Sequence, residues 1–165
     1  MKWTTKQLTT MALLTAIALA IHVAEAQIPP LVAIPGVKLG LANIITVYAA
    51  FSIGGGAAAM ILIARILLGS MFGGGVMSLM YSLAGGILCL VITLVLRRVL
   101  TQKQIWVAGV MGALFHNIGQ IIVAWIVTST PAIVFYLPIL MISGFATGLF
   151  TGFAAQAVVN RMGKR

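Results

Sequence analysis

Apolar residues run along this chain in long blocks, broken by short clusters of glycine, proline and cations. About 20 apolar residues in a helix cross the hydrocarbon core of a bilayer. By that measure the blocks at 8–26, 39–53, 57–72, 76–96, 105–128 and 133–159 predict six transmembrane helices, the second and third of them short. The punctuation agrees. Gly54-Gly55-Gly56 and Gly73-Gly74-Gly75 permit tight reversals, since no Cβ blocks positive φ. Pro29, Pro30 and Pro35 interrupt the first connection, and Arg97, Arg98 and Lys103 mark a hydrated link before the fifth block. Pro131 opens the turn into the sixth helix, and Pro138 is expected to kink its outer end. The first block follows Lys2 and Lys6 and ends in Ala24-Glu25-Ala26, which resembles a signal-peptide cleavage site. It is long for that role, and His22 and Glu25 are unusual beside such a site, so it is read as a retained helix. The predicted fold class is an all-α integral membrane protein, one six-helix domain over residues 1–165.

Composition strengthens this reading. Of the 165 residues, 62% are apolar and 7% charged, and the mean hydropathy is +1.18. A soluble domain carries about 25% charged residues to hold its surface in water. There are ten Lys and Arg against one acid, Glu25, with no Asp, for a formal charge of +9. Chemistry built on paired carboxylates, carboxylate-bound Mg²⁺ or a Ser-His-Asp triad has at most one carboxylate to draw on. The cations are scattered between apolar runs rather than gathered into a patch, so no nucleic-acid partner is expected. Cys89 stands alone inside an apolar block, which excludes an intrachain disulfide and reads as a small buried hydrophobe. Orientation follows from the cations. Lys2, Lys6, Arg97, Arg98, Lys103, Arg161, Lys164 and Arg165, eight of the ten, fall on one side of the predicted membrane. The positive-inside rule makes that side cytoplasmic, with both termini inside and residues 27–38 and 128–133 outside.

The remaining polar groups lie where polarity is costly. An Arg near a helix centre costs about 2.5 to 3.5 kcal/mol on insertion scales. Arg65 must therefore face the bundle interior, a cavity or a partner, either touching a ligand or forming a structural tie with Glu25 or backbone carbonyls. His116 and Gln120 stand at i and i+4 on one helix face, with Asn117 beside them. Such a set is either a binding element or interhelical glue, and binding is the favoured reading. His116 alone makes no metal site, and Cys89 and His22 would join it only by coincidence of folding. Glu25 and Lys38 flank the proline-rich connection, lining an outer lid or sitting among headgroups. Asn43 lies one turn beyond Leu39 and faces the same region. Trp3, Trp106, Trp125, Tyr48, Tyr81 and Tyr136 read mostly as interfacial belts, with Trp125 and Tyr136 placed to close the outer end of a cavity. Ala12, Ala16 and Ala20 recur every four residues, a smooth strip that packs within the bundle or admits a second membrane protein. Gly144, Gly148 and Gly152 form a similar strip, better read as internal packing.

Four stretches carry a resemblance. They are Pro35-Gly36-Val37-Lys38-Leu39-Gly40-Leu41-Ala42-Asn43, Arg65-Ile66-Leu67-Leu68-Gly69-Ser70-Met71-Phe72-Gly73, Leu83-Ala84-Gly85-Gly86 and His116-Asn117-Ile118-Gly119-Gln120. Over nearly its whole length the chain resembles the Gx transporter family, also called heptaprenyl diphosphate synthase component I. More broadly it is similar to the substrate-binding S components of energy-coupling-factor (ECF) transporters. The resemblance implies a six-helix bundle with both termini cytoplasmic and a substrate cavity open to the outside, covered by the loop between the first two helices. It implies docking of Ala12, Ala16 and Ala20 on a membrane T component, with two cytoplasmic ATPases driving release inside. No Gly-rich phosphate loop is present here, so ATP hydrolysis falls to those partners.

The expected function is thus capture of a small vitamin-like or quinone- or isoprenoid-related molecule in the cell membrane of a bacterium or archaeon. Lys38, Asn43, Arg65, His116, Asn117 and Gln120 are the expected contacts, with no catalytic residue, cofactor or metal. With few cations on the outer half, one carboxylate or phosphate is easier to balance than a diphosphate. Two rivals remain: a non-catalytic membrane accessory of prenyl diphosphate or quinone synthesis, and a self-sufficient carrier or channel. The usual prenyl synthase needs Asp-rich clusters to hold Mg²⁺ on diphosphate, so this chain is not expected to be the catalytic subunit.

Overall fold

The computed structural model describes residues 3–28 and 38–162, and among them there is no strand. The six helices are α1 (Thr5–Glu25), α2 (Asn43–Ser52), α3 (Gly55–Gly69), α4 (Gly75–Leu96), α5 (Ile105–Thr128) and α6 (Leu137–Met162). A π-helical turn, Ser70–Gly74, carries α3 into α4. Short 3₁₀ turns at Gln102–Gln104 and Pro131–Tyr136 lead into α5 and α6. Pro29, Pro30 and Pro35, with Lys2, Lys164 and Arg165 of the orientation code, lie outside the described residues.

Five segments are long and apolar enough to cross a membrane: Thr5–Glu25, Gly55–Phe72, Gly75–Leu96, Gln102–Thr128 and Pro131–Arg161. Their outward faces carry Leu13, Ile63, Met71, Val91, Ile142 and Phe150, while Arg65, Asn43, His116, Asn117 and Gln120 are buried. Apolar outside and polar inside is the inverse of a soluble domain, and it suits hydrocarbon as solvent. The chain is a multi-pass helical membrane protein.

The second predicted span needs correction. Residues 39–53 were expected to cross as a short helix, but α2 has only ten residues, about 15 Å at 1.5 Å per residue. That is about half of a ~30 Å hydrocarbon core. Residues ahead of it form a turn in which Gly40 takes φ +79°, a left-handed conformation that a side chain would strain. The helix starts late and therefore starts inside the protein. It touches each of the other five helices, and seven of its ten residues are buried. A partial helix is tolerated at this depth because protein, not lipid, surrounds it.

A helix that begins away from water must find acceptors for its first N–H groups. Ala42, at its N-cap, supplies no side-chain bond. Glu25, at the end of α1, supplies the acceptors instead. Its carboxylate accepts from the backbone N–H of Gly40 at 2.5 Å and of Leu41 at 3.1 Å. The amides of Asn43, Ile44 and Ile45 close the first turn on the carbonyls of Gly40, Leu41 and Ala42 at 3.0, 3.1 and 3.3 Å. A negative charge there also complements the positive end of the helix dipole.

On the other side of α2, α4, α5 and α6 form a closely packed set. A Cβ on Gly109 of α5 would lie 2.3 Å from the Gly152 Cα of α6, and one on Gly148 would lie 2.6 Å from the Val110 Cα. The glycine strip of α6 is internal packing, as expected, and allows near backbone contact. Trp106 stacks on Phe153 with ring centroids 5.7 Å apart. Pro138 is the second residue of α6, where its missing N–H breaks no helical bond, so the expected kink gives way to an ordinary helix start. One aromatic expectation also changes: Tyr48 and Tyr81 are buried in the bundle and form no surface belt, whereas Trp125 and Tyr136 are exposed.

Two outcomes follow for stability. Gly109→Leu should force α5 and α6 apart and lower the melting temperature in detergent, at a cost of about 1–3 kcal/mol; an unchanged melting temperature would refute the tight crossing. Glu25→Ala should destabilise the fold more than Glu25→Gln, because the glutamine carbonyl still accepts one of the two N–H bonds. Equal melting temperatures for these two variants would remove Glu25 from the capping role.

Candidate functional site

The buried start of α2 gathers polar side chains from four helices. Gly40 is at its centre. A Cβ there would lie 2.9 Å from Asn43 Nδ2 and 3.0 Å from His116 Cδ2, so only hydrogen fits between α2 and α5. Asn43, the first residue of α2, accepts through Oδ1 from Arg65 Nη2 of α3 at 3.4 Å. Arg65 is 3% exposed, so it faces the bundle interior as its cost in lipid requires. Its structural tie is to Asn43. Glu25 is near enough to act electrostatically on Arg65 and Lys38, but both of its oxygens hold backbone N–H groups.

His116 lies with its Nε2 edge towards Gly40 and its Nδ1 edge against Gly85 of α4, where a Cβ would stand 2.6 Å from Nδ1. Gln120 Nε2 is 3.0 Å from His116 Nε2. The amide donates to that nitrogen, which puts the imidazole proton on Nδ1. Lys38 Nζ is 3.1 Å from His22 Nε2 of α1. Lys38 is half-buried, the most open member of the group. Burial pushes its ammonium below the usual lysine range; Glu25 opposes that and Arg65 adds to it.

Of the six predicted contacts, five meet here: Lys38, Asn43, Arg65, His116 and Gln120. Asn117 points elsewhere. Its Nδ2 donates to the Leu140 carbonyl of α6 at 2.5 Å and abuts Gly144, where a Cβ would sit 2.5 Å away. It ties two helices together, the glue alternative for this stretch. Sequence reasoning missed His22 as a member and Glu25 as the cap of α2. It also missed Gly40 and Gly85 as the two walls of the imidazole slot. The available signal was the placing of Gly40 between Lys38 and Asn43 and of Gly85 in Leu83-Ala84-Gly85-Gly86.

The site is polar but not fully paired. Arg65 Nε and Asn43 Nδ2 are buried donors without a hydrogen-bond partner, and Gln120 Oε1 is a buried acceptor without one, while His116 Nδ1 faces the Gly85 backbone. Buried polar atoms are satisfied in the great majority of folds, so unpaired groups of this kind call for a physical reason. Ala12, Ala16 and Ala20 occupy a different surface, exposed along the outer face of α1.

No curated protein and no solved structure matches the chain. One family model does, over residues 14–158. That range takes in α2 to α5 in full and most of α1 and α6, with every residue of the cluster. The chain belongs to the heptaprenyl diphosphate synthase component I family.

Proposed function

We propose that this protein is the substrate-capture (S) component of an ECF-type importer, taking up a small vitamin-like or quinone- or isoprenoid-related molecule. The observation that carries this reading is the convergence of Arg65, Asn43, Lys38, His22, His116 and Gln120 around Gly40, within a bundle whose outer surface is apolar. Ions inside a membrane protein are expensive, and packed apolar residues would hold six helices together at lower cost. Few polar anchors among apolar walls are what small-molecule sites generally present.

The exposed alanine strip of α1 supports the second half of the reading. It offers a low, smooth face on which a membrane T component can seat closely. Two ATPases on the cytoplasmic side would supply the energy, and this chain would carry out no catalysis. On this reading the chain sits in a bacterial or archaeal cell membrane with both termini cytoplasmic, which the bias of eight of its ten cations to one side supports. The family's name favours a second reading, a non-catalytic membrane accessory that hands a prenyl or quinone precursor to a soluble synthase. Purification from the native membrane separates the two: a T component with two ATPases accompanies an S component, and a prenyl synthase accompanies the accessory.

Mass spectrometry of purified protein should find a small molecule bound to the native chain. Its occupancy should fall about tenfold to a hundredfold in Arg65→Ala, the loss of one or two bonds to a charged group. Full occupancy in a correctly inserted Arg65→Ala protein would end the ligand role of Arg65. Ala16→Leu should abolish recovery of the T component while leaving small-molecule occupancy intact. If the whole complex still co-purifies, α1 does not dock through this strip.

A further inference from the structure

We propose that the cluster around Gly40, taken as the capture site described above, holds its ligand through one singly charged anionic group, a carboxylate or a phosphodiester. Arg65 and Asn43 act as donors and Lys38 as the second cation.

The charges lead there. The chain has one carboxylate side chain, Glu25. Both of its oxygens hold the backbone N–H groups of Gly40 and Leu41. Two cations, Arg65 and Lys38, share the site with it, and no other acid exists anywhere in the sequence to balance them. Lys38 reaches a nitrogen of His22, which brings no negative charge. By formal charge the site therefore carries one positive unit that no acidic side chain of this protein can neutralise. Isolated buried charge is costly, and a partner of opposite sign removes that cost.

Hydrogen bonding points the same way. Arg65 Nε and Asn43 Nδ2 are both unpartnered, and both belong to residues 3% exposed. They are donors on neighbouring side chains already linked through Arg65 Nη2 and Asn43 Oδ1. The missing species is an acceptor with negative charge. An arginine fork and an amide N–H suit a carboxylate or phosphate oxygen pair. A single charge brings the site to neutrality. A diphosphate, with two or more charges, would leave it negative, and a neutral amide or alcohol would leave it positive.

The test uses the full chain in nanodiscs of zwitterionic phosphatidylcholine, with thermal unfolding as the readout. Benzoate and dimethyl phosphate are the anionic probes, and benzamide is the neutral match for benzoate. The anions should raise the melting temperature and benzamide should not. Arg65→Gln should weaken the benzoate response about tenfold or more. Because Arg65 is buried, Arg65→Gln tests folding as well as binding, so Lys38→Gln is the second variant. It should weaken the benzoate response and also raise the melting temperature of the ligand-free protein, because it removes an unbalanced cation. A lysine serving only structure would do the opposite.

Replacing part of the bilayer with phosphatidylglycerol separates two sources of the anion. If that lipid stabilises the protein and blocks the benzoate response, a headgroup phosphodiester occupies the site. If it changes nothing, the anion comes from a soluble molecule; both results keep the anion site. Equal responses to benzamide and benzoate would overturn the proposal, as would no response to any anion. So would a Lys38→Gln protein that melts lower and still responds fully to benzoate. The importer assignment is judged separately, by co-purification of a T component and ATPases. Anion binding without those partners keeps the site and removes the importer, and partners without anion binding do the reverse.

Discussion

A helix that starts inside a membrane protein has backbone N–H groups and no water to receive them. Much of this structure follows from meeting that need at the head of α2. Glu25 at the end of α1 accepts from Gly40 and Leu41, which fixes where α1 ends relative to α2. Gly40 takes a left-handed turn to present its N–H. The same glycine leaves the space that His116 fills. Because α2 is short and central, five helices can close around it and exclude lipid from its irregular start.

The same contact sets the electrostatics. Glu25 is the chain's single acid, and its role at the helix start leaves Arg65 and Lys38 without a full counter-charge. Arg65 is held against Asn43, the first residue of α2, so the cation and the helix start share one location. A fold-level requirement and a binding-level opportunity thus arise from one shortage of carboxylates. Around them the bundle divides its work. α4, α5 and α6 pack through glycines at near backbone contact, while α1 keeps Ala12, Ala16 and Ala20 on the outside.

Hydropathy made the bundle legible. Five of six predicted spans correspond to long apolar helices, because the bilayer imposes a length that composition must match. The second span misled for a physical reason: a helix mostly buried in protein is as apolar as one that crosses lipid, so 39–53 could not reveal where its helix began. Tyr48 and Tyr81 misled likewise, since belt and core both accept tyrosine. Arg65, His116 and Gln120 were legible because polarity inside a span is rare enough to need a reason, and Lys38 and Asn43 because they flank the start of the second span. Asn117 was read with them by adjacency, yet one position along a helix is about 100° of rotation, enough to turn its amide onto α6. Glu25 could not be read as a cap, since its partners are backbone groups fifteen and sixteen residues away that carry no sequence signature.

The family's name speaks of diphosphate synthesis, and the site can be weighed against that chemistry directly. Diphosphate ionisation is driven by Mg²⁺ held between phosphate oxygens and several protein carboxylates. This chain has no Asp and one Glu, and that Glu has both oxygens on backbone amides. To recruit it to a metal would uncap α2 inside the bundle. The donors left over, Arg65 Nε and Asn43 Nδ2, suit an anion approached directly rather than through a cation. Under either proposed reading, importer or accessory, the residues available are ones that would hold a molecule, which is the same physical act in both.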